Sequence, residues 1–205
     1  MSQKNSLIYN ILSKPFAYML VQKLASGSTF QKKMVLKHIK KKNNINILDI
    51  GCGPAEILDV LPNCNYYGYD VDKTSIKYAK KKYTGKNIKF FCKKFNIKDI
   101  KKLPKFDFVL LFGILHHLSD MECIKLFKLI KKVLKKNAKI LIKDPVYDER
   151  QNFIAQYLIV NDRGDNVRYS YEYVNLIKTS FKNVEYNTTF QKFLPYTWHS
   201  MICKA

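Results

Sequence analysis

The chain has 205 residues, 47% of them apolar and 26% charged, a composition that suits one folded domain with a sizeable core and excludes disordered, collagen-like and low-complexity chains. Its longest nearly uncharged apolar run, Phe108 to Leu118, falls short of the roughly 20 residues that a membrane-spanning helix needs, and no secretory signal is visible, so a cytoplasmic protein is expected. The net charge of +21 raises nucleic acid as a partner, but arginine occurs only at 150, 163 and 168, leaving 34 lysines spread along the whole chain.

Phosphate-reading surfaces use both cations, so RNA or DNA is the less favoured acceptor. The five cysteines, at 52, 64, 92, 123 and 203, are scattered and form no CxxC pair. That pattern opposes a disulfide framework and a structural zinc site, and no metal is expected.

Residues 5–42 read as mostly helical, in two helices broken around Ser26-Gly27-Ser28, because Ile8, Ile11, Leu12, Phe16 and Leu20 recur at helical spacing. Ile45 to Ile50 is a buried strand ended by glycine. Pro54 to Leu61 is predicted as a helix, Asn65 to Asp70 as a second strand, 74–83 as a helix and Asn87 to Cys92 as a third strand. Phe106 to Phe112 is a fully apolar fourth strand, Asp120 to Lys135 a helix with Ile124, Phe127, Ile130 and Leu134 on one face, and Ala138 to Lys143 strand five. Strands alternating with helices imply βαβ crossovers and a parallel sheet covered on both faces.

After strand five a polar stretch containing DRGDNVR leads to a helix at 170–180, and two β-like runs follow, Val184 to Phe190 and Tyr196 to Lys204. The short turn between those runs permits a hairpin. The expected fold is therefore α/β, a doubly wound, mostly parallel, seven-stranded Rossmann-like sheet with an antiparallel last strand and helices on both faces. One domain spans 1–205, with N-terminal helices (1–43) capping the site and a substrate lid at 145–173.

The segment ILDIGCGPAEILDVLP puts Asp49, Gly51, Cys52 and Gly53 between a buried strand and a helix N-terminus. Glycines there let the backbone approach a ligand, and free N–H groups at a helix start favour polar or anionic groups. Asp70, nineteen positions after Gly51 at the end of the second strand, can accept hydrogen bonds from both ribose hydroxyls of an adenosine.

With DIGCG (49–53), YYGYDVD (66–72) and FDFVLLFGILHHLSD (106–120), the chain resembles a class I S-adenosylmethionine-dependent methyltransferase of the small-molecule branch, from about residue 40 to the C-terminus. The terminal hairpin is similar to the family's last two strands and differs from nicotinamide-binding Rossmann enzymes. The resemblance implies that Asp49, Gly51 and Gly53 line the methionine side of S-adenosyl-L-methionine, that Asp70 holds the ribose and Val71 packs on the adenine. Gly113 and Ile114 would run beside the sulfonium. Ala55 stands where a third glycine is usual, and Lys94 where many members place an acid for the adenine amino group, so Phe95 or Asn96 stacks or bonds there instead.

Methyl transfer from a sulfonium is an in-line displacement, so the protein mainly positions a nucleophile and excludes water. His116 and His117, at the mouth of strand four, are candidate bases, and Asp144, at the end of strand five, would orient a histidine or accept the substrate proton. All three arginines fall between strand five and the next helix. Because guanidinium grips carboxylate or phosphate bidentately, Arg163 and Arg168, with Tyr18 from the N-terminal helices, are the candidate contacts to an acceptor carrying an anionic group; pairing of the arginines with Asp162 and Asp165 is the alternative. The rival functions are an RNA methyltransferase, a nicotinamide oxidoreductase and an inactive cofactor-binding partner subunit.

Overall fold

The computed structural model describes residues 28–39, 44–162, 164–190 and 196–205. Tyr18, Arg163 and most of the expected N-terminal helical region lie outside them. In chain order the elements are α1 (Ser28–His38), β1 (Ile45–Ile50), a 3-10 turn (Glu56–Val60), β2 (Cys64–Asp70), α2 (Lys73–Lys82), β3 (Ile88–Cys92), α3 (Ile97–Ile100) and β4 (Phe106–Phe112). A second 3-10 turn (Leu115–His117) leads to α4 (Asp120–Lys131), β5 (Leu134–Tyr147), α5 (Phe153–Val160), β6 (Arg168–Tyr169), α6 (Ser170–Lys178), β7 (Asn183–Phe190) and β8 (Thr197–Lys204).

The strands form one sheet in the order β3-β2-β1-β4-β5-β8-β7, with the two-residue β6 beside the end of β5. Pairings among β1 to β5 are parallel, and β8 runs antiparallel to both neighbours. Seven strands on one path with an antiparallel last strand agree with the expected fold. Alternate residues of the central strands face two cores. Leu48, Ile50, Val109, Leu111, Ile140 and Ile142 pack with α4 and α6, whereas Ile47, Phe108, Leu110 and Leu141 pack with Met34, Val35 and the β2–α2 layer. This is why the strands read as continuous apolar runs.

Three elements depart from expectation. Only the 3-10 turn Glu56–Val60 forms where Pro54 to Leu61 was read as a helix. Ala55 before it is left-handed (φ 56°), and Leu61 after it precedes a proline, which disfavours helical backbone, so no room remains for an α-helix. α4 stops at Lys131, and β5 starts at Leu134, earlier than Ala138, with Asn137 at φ 65° where its register to β4 shifts. The expected polar lid at 145–173 holds the helix α5, whose Leu158 and Ile159 are buried with Tyr196 and Trp198; this part of the segment is a packed layer. Among the described residues no helix is long and apolar enough to cross a membrane.

Candidate active site

β1 carries Asp49 as its last residue but one and ends on Ile50, and the chain then makes a turn of alternating left-handed residues: Gly51 (φ 76°), Gly53 (φ 52°) and Ala55 (φ 56°). The third position adopts the conformation for which glycine is usual, and alanine accepts it at a cost of about 1–2 kcal/mol. Gly51 N–H and Cys52 N–H both donate to Tyr69 O, at 2.8 and 3.1 Å, which ties the turn to the end of β2. Asp70 completes the tie, its Oδ2 accepting from Gly53 N–H at 2.7 Å and its Oδ1 from Asp72 N–H at 2.8 Å. Each carboxylate oxygen keeps a second lone pair for a ligand hydroxyl.

The loop after β4 closes on the same turn. Gly113 is left-handed (φ 68°) and donates to Lys143 O at 2.7 Å, and the next residue lies over the first glycine: a Cβ on Gly51 would sit 3.1 Å from Ile114 Cδ1. At Gly53 a Cβ would meet nothing within 4 Å, so that side of the turn is open. Val71, next to Asp70 in sequence, is 61% exposed. Asp49, Gly51, Gly53, Asp70, Gly113 and Ile114 are thus brought together.

Buried Asp49 accepts a 2.5 Å hydrogen bond from Tyr66 O–H. Burial pushes its carboxyl up to about 7, against the lowering effect of the Tyr66 bond and with a further push from Asp70. A carboxylate so desolvated gains strongly from a cationic partner, which suits the ammonium of an amino-acid-bearing nucleoside. An open glycine turn, a ribose-type acid and this buried acid together fit S-adenosylmethionine. Cys52 turns its sulfur inward over Gly68. Phe95 is buried in the core, edge-on to Tyr69 at 5.3 Å, so it is not a free stacking surface. Asn96 caps α3, its Oδ1 accepting from Lys98 N–H and its Nδ2 donating to Lys94 O. Asn96 is engaged in starting α3 and Phe95 in packing the core.

The two histidines separate. His116 is buried, with Nδ1 2.7 Å from Asp144 Oδ1 and Nε2 3.3 Å from Asp162 Oδ1. Burial alone would lower its pKa, but hydrogen bonds to Asp144 and Asp162 outweigh it and raise it to about 9. Asp162 goes the other way, to about 2, because bonds from His116 and Tyr196 overcome its desolvation. Gly164 packs on the ring: a Cβ there would fall 2.1 Å from His116 Cδ2. His116 is therefore a clamped cation and not an open base. His117, exposed, lies with its ring 4.0 Å from that of His116, and desolvation together with the His116 charge lowers its pKa below 6.5.

Arg168 also departs from expectation. It is 8% exposed, and its guanidinium donates to Asp120 Oδ1 (2.7 and 2.9 Å) and to the carbonyls of Leu115, Leu118 and Asn166. It pins the second 3-10 turn to β6, and its partner is Asp120, neither an acceptor nor Asp165. Arg150 pairs bidentately with Asp148. Sequence reasoning missed Tyr66, Asp162 and Tyr196, whose roles depend on contacts 17 to 46 positions apart in sequence. It also missed Lys143, buried within β5 with its ammonium 3.6 Å from the Trp198 ring centroid and its pKa lowered by burial to about 7. Nothing marks that lysine among 34 in the sequence.

A glycine turn after β1, an acid after β2 and an antiparallel last strand define a Rossmann-like methyltransferase fold. The family described as a methyltransferase domain matches residues 41–194, and the chain belongs to it. A Dictyostelium discoideum protein named "probable inactive O-methyltransferase 11" is 33% identical over 122 residues, 56% of this chain but 35% of that relative. The match thus spans about a third of the relative's length. An Archaeoglobus fulgidus SAM-dependent methyltransferase superimposes with a TM-score of 0.66 at 18% identity, over 92% of this chain and 99% of that one. Human N-acetylserotonin methyltransferase, solved with SAM, gives 0.60 at 19% identity, over 95% and 57%. The expected family, fold and cofactor agree with these findings.

Proposed function

We propose that this chain transfers the methyl group of S-adenosylmethionine to a small-molecule acceptor at the C-terminal rim of β1, β4 and β5. The observation that carries this reading is the closure of Ile114 over Gly51 while Asp70 ties down Gly53 and leaves its outer side open. When bound, the cofactor supplies an electrophilic sulfonium methyl, so no protein nucleophile is needed. Asp49 takes the ammonium, Asp70 the ribose hydroxyls and Val71 the adenine face.

His117 removes the acceptor's proton, being neutral near pH 7 and on the open side of the pair. His116 acts through it: fixed between Asp144 and Asp162, it holds a positive charge against the neighbouring ring and keeps that ring unprotonated. Arg168 is left out of acceptor binding because its donors are engaged within the chain. Arg163 and Tyr18 keep only their expectation from sequence.

Calorimetry with S-adenosylmethionine and S-adenosylhomocysteine tests the reading. Binding of both is expected, and Asp70→Ala should weaken it by about 1–3 kcal/mol, since both the ribose contact and the Gly53 tether are lost. Tight NAD binding in place of these nucleosides would overturn it. A second reading, a domain that binds cofactor without transferring methyl, is favoured by the name of the Dictyostelium relative. Retention of Asp49, Asp70 and His117 opposes it, and cofactor binding with no turnover across a broad acceptor panel would support it.

A further inference from the structure

Asp49 lies directly across the parallel β1–β2 pairing from Gly68, and Tyr66 stands two residues earlier on β2. The residue opposite Asp49 has no side chain, and the space is filled from both sides: a Cβ on Gly68 would fall 2.9 Å from Cys52 Sγ and 2.9 Å from Tyr66 Cε1. The missing side chain is what lets the Tyr66 ring lean along the sheet and bring its O–H to Asp49 Oδ2 at 2.5 Å. Phe90 supports the ring edge-on at 5.8 Å. Tyr66 is completely buried, so a hydroxyl there needs a partner, and its partner is the acid that faces the glycine turn.

We propose that Tyr66 is a positioning residue for the amino-acid end of the cofactor: its hydroxyl holds Asp49 Oδ2 and presents Oδ1 to the ammonium group, with Gly68 making room for the contact. The inference rests on the methyltransferase reading. A carboxylate with one oxygen fixed by a buried donor loses little freedom when it takes a cation, and the same donor favours the ionised form that the cation needs.

The groups facing Asp49 are few. Tyr66 and Asp70 come from β2 and Cys52 from the turn, while β4 presents apolar Leu110 in register. Tyr66 is pushed far above its ordinary value by burial, and burial raises the Cys52 thiol as well, so both stay protonated. Without the Tyr66 donor nothing among these groups favours ionised Asp49, and Asp70 opposes it.

Two nucleosides separate this role from general stability: S-adenosylhomocysteine, which carries the ammonium, and 5′-methylthioadenosine, which lacks the amino-acid end. Their binding to Tyr66→Phe, which keeps the ring, is measured by calorimetry from about pH 6 to about pH 8. Expected is a loss of about tenfold for S-adenosylhomocysteine at neutral pH, recovering as pH rises, with 5′-methylthioadenosine unchanged. Asp49→Asn should show the same selective loss without the pH recovery, which keeps the test available if the tyrosine variant folds poorly. Equal losses for both nucleosides in Tyr66→Phe, or unchanged S-adenosylhomocysteine binding, would overturn the assignment. If the wild type binds 5′-methylthioadenosine but gains nothing from the amino-acid end, the inference fails while the cofactor reading stands; if it binds neither nucleoside, the reading itself fails.

Discussion

At the residue scale the site turns on which of two adjacent histidines is clamped. His116 has its folded pKa raised to about 9 from an ordinary 6.5, so the stabilisation from its two carboxylate partners is complete below about 6.5 and is lost as pH rises through about 9. The shift corresponds to about 3 kcal/mol. Replacing His116 by Asn leaves Asp144 and Asp162 buried without their cation, and breaking such a group costs about 3–5 kcal/mol. Urea unfolding at neutral and alkaline pH checks this: the wild type should weaken through about pH 9, and His116→Asn should start lower and show no such fall. The same variant reports on His117. Removing the neighbouring charge raises the His117 pKa, so the acid limb of the pH–rate profile should move to higher pH; an unmoved limb would remove His117 as the base. The sequence presented HH as a pair, and nothing in it separated them, because the partner that decides, Asp162, lies 46 positions away.

At the element scale, β1 and β4 were legible because buried apolar strands bounded by glycine or polar turns leave little alternative, and β2 and the terminal pair because short aromatic and β-branched runs end at turn signals. α5 was not. FIAQYLIV is apolar at seven of its eight positions, too short for its period to declare itself, and the charged segments around it set a polar tone. Asn152, whose side chain accepts from Ala155 N–H at 2.9 Å, was the signal that could have found it. The consequence is that Asp162, Gly164 and Asn166, which follow α5, work as a strap seated on His116. Asn166 N–H donates to His116 O at 2.9 Å, Asp162 reaches the ring, and Gly164 lies flat on it. A methyl at Gly164 would fall 2.6 Å from His116 O as well as against the ring, so the strap must lift. Gly164→Ala should cost about 1–3 kcal/mol and blunt the alkaline loss of stability, because the Asp162 contact loosens; a variant with wild-type stability and pH dependence would show that the strap is not seated as described.

At the scale of the whole molecule the charge is unevenly placed. No lysine falls between Lys143 and Lys178 in a chain with 34 of them, and six of the sixteen acids (Asp144, Asp148, Glu149, Asp162, Asp165 and Glu172) fall within that interval against three arginines. Two of those arginines are tied to Asp148 and Asp120. This interval forms the end of β5, α5, β6 and the start of α6, at the C-terminal rim where ligands of open α/β sheets bind; with Asp144 and Asp162 held by His116 and Asp148 by Arg150, the exposed acids left are Glu149, Asp165 and Glu172, so a strongly basic protein leaves the proposed acceptor side with a lysine-free, mildly acidic margin. Arg163 and Arg168 read from sequence as an anion clamp; the arginine count was visible there, but the partner of Arg168, Asp120, lies 48 positions away and depended on a tertiary contact. A rim of one sign concentrates ligands of the other and repels like charge, so neutral or cationic acceptors should be preferred over anionic ones. Three acceptors on one aromatic frame, bearing an amine, an alcohol or a carboxylate at the same remote position, test this by steady-state kinetics. The expected order of kcat/KM is amine, then alcohol, then carboxylate, and the gap should narrow as salt rises because the field is screened over about 10 Å at 0.1 M ionic strength. Preference for the carboxylate would restore the clamp and point to Arg163 as its donor. An order that ignores salt would place discrimination in shape and leave the acidic margin without a role in it.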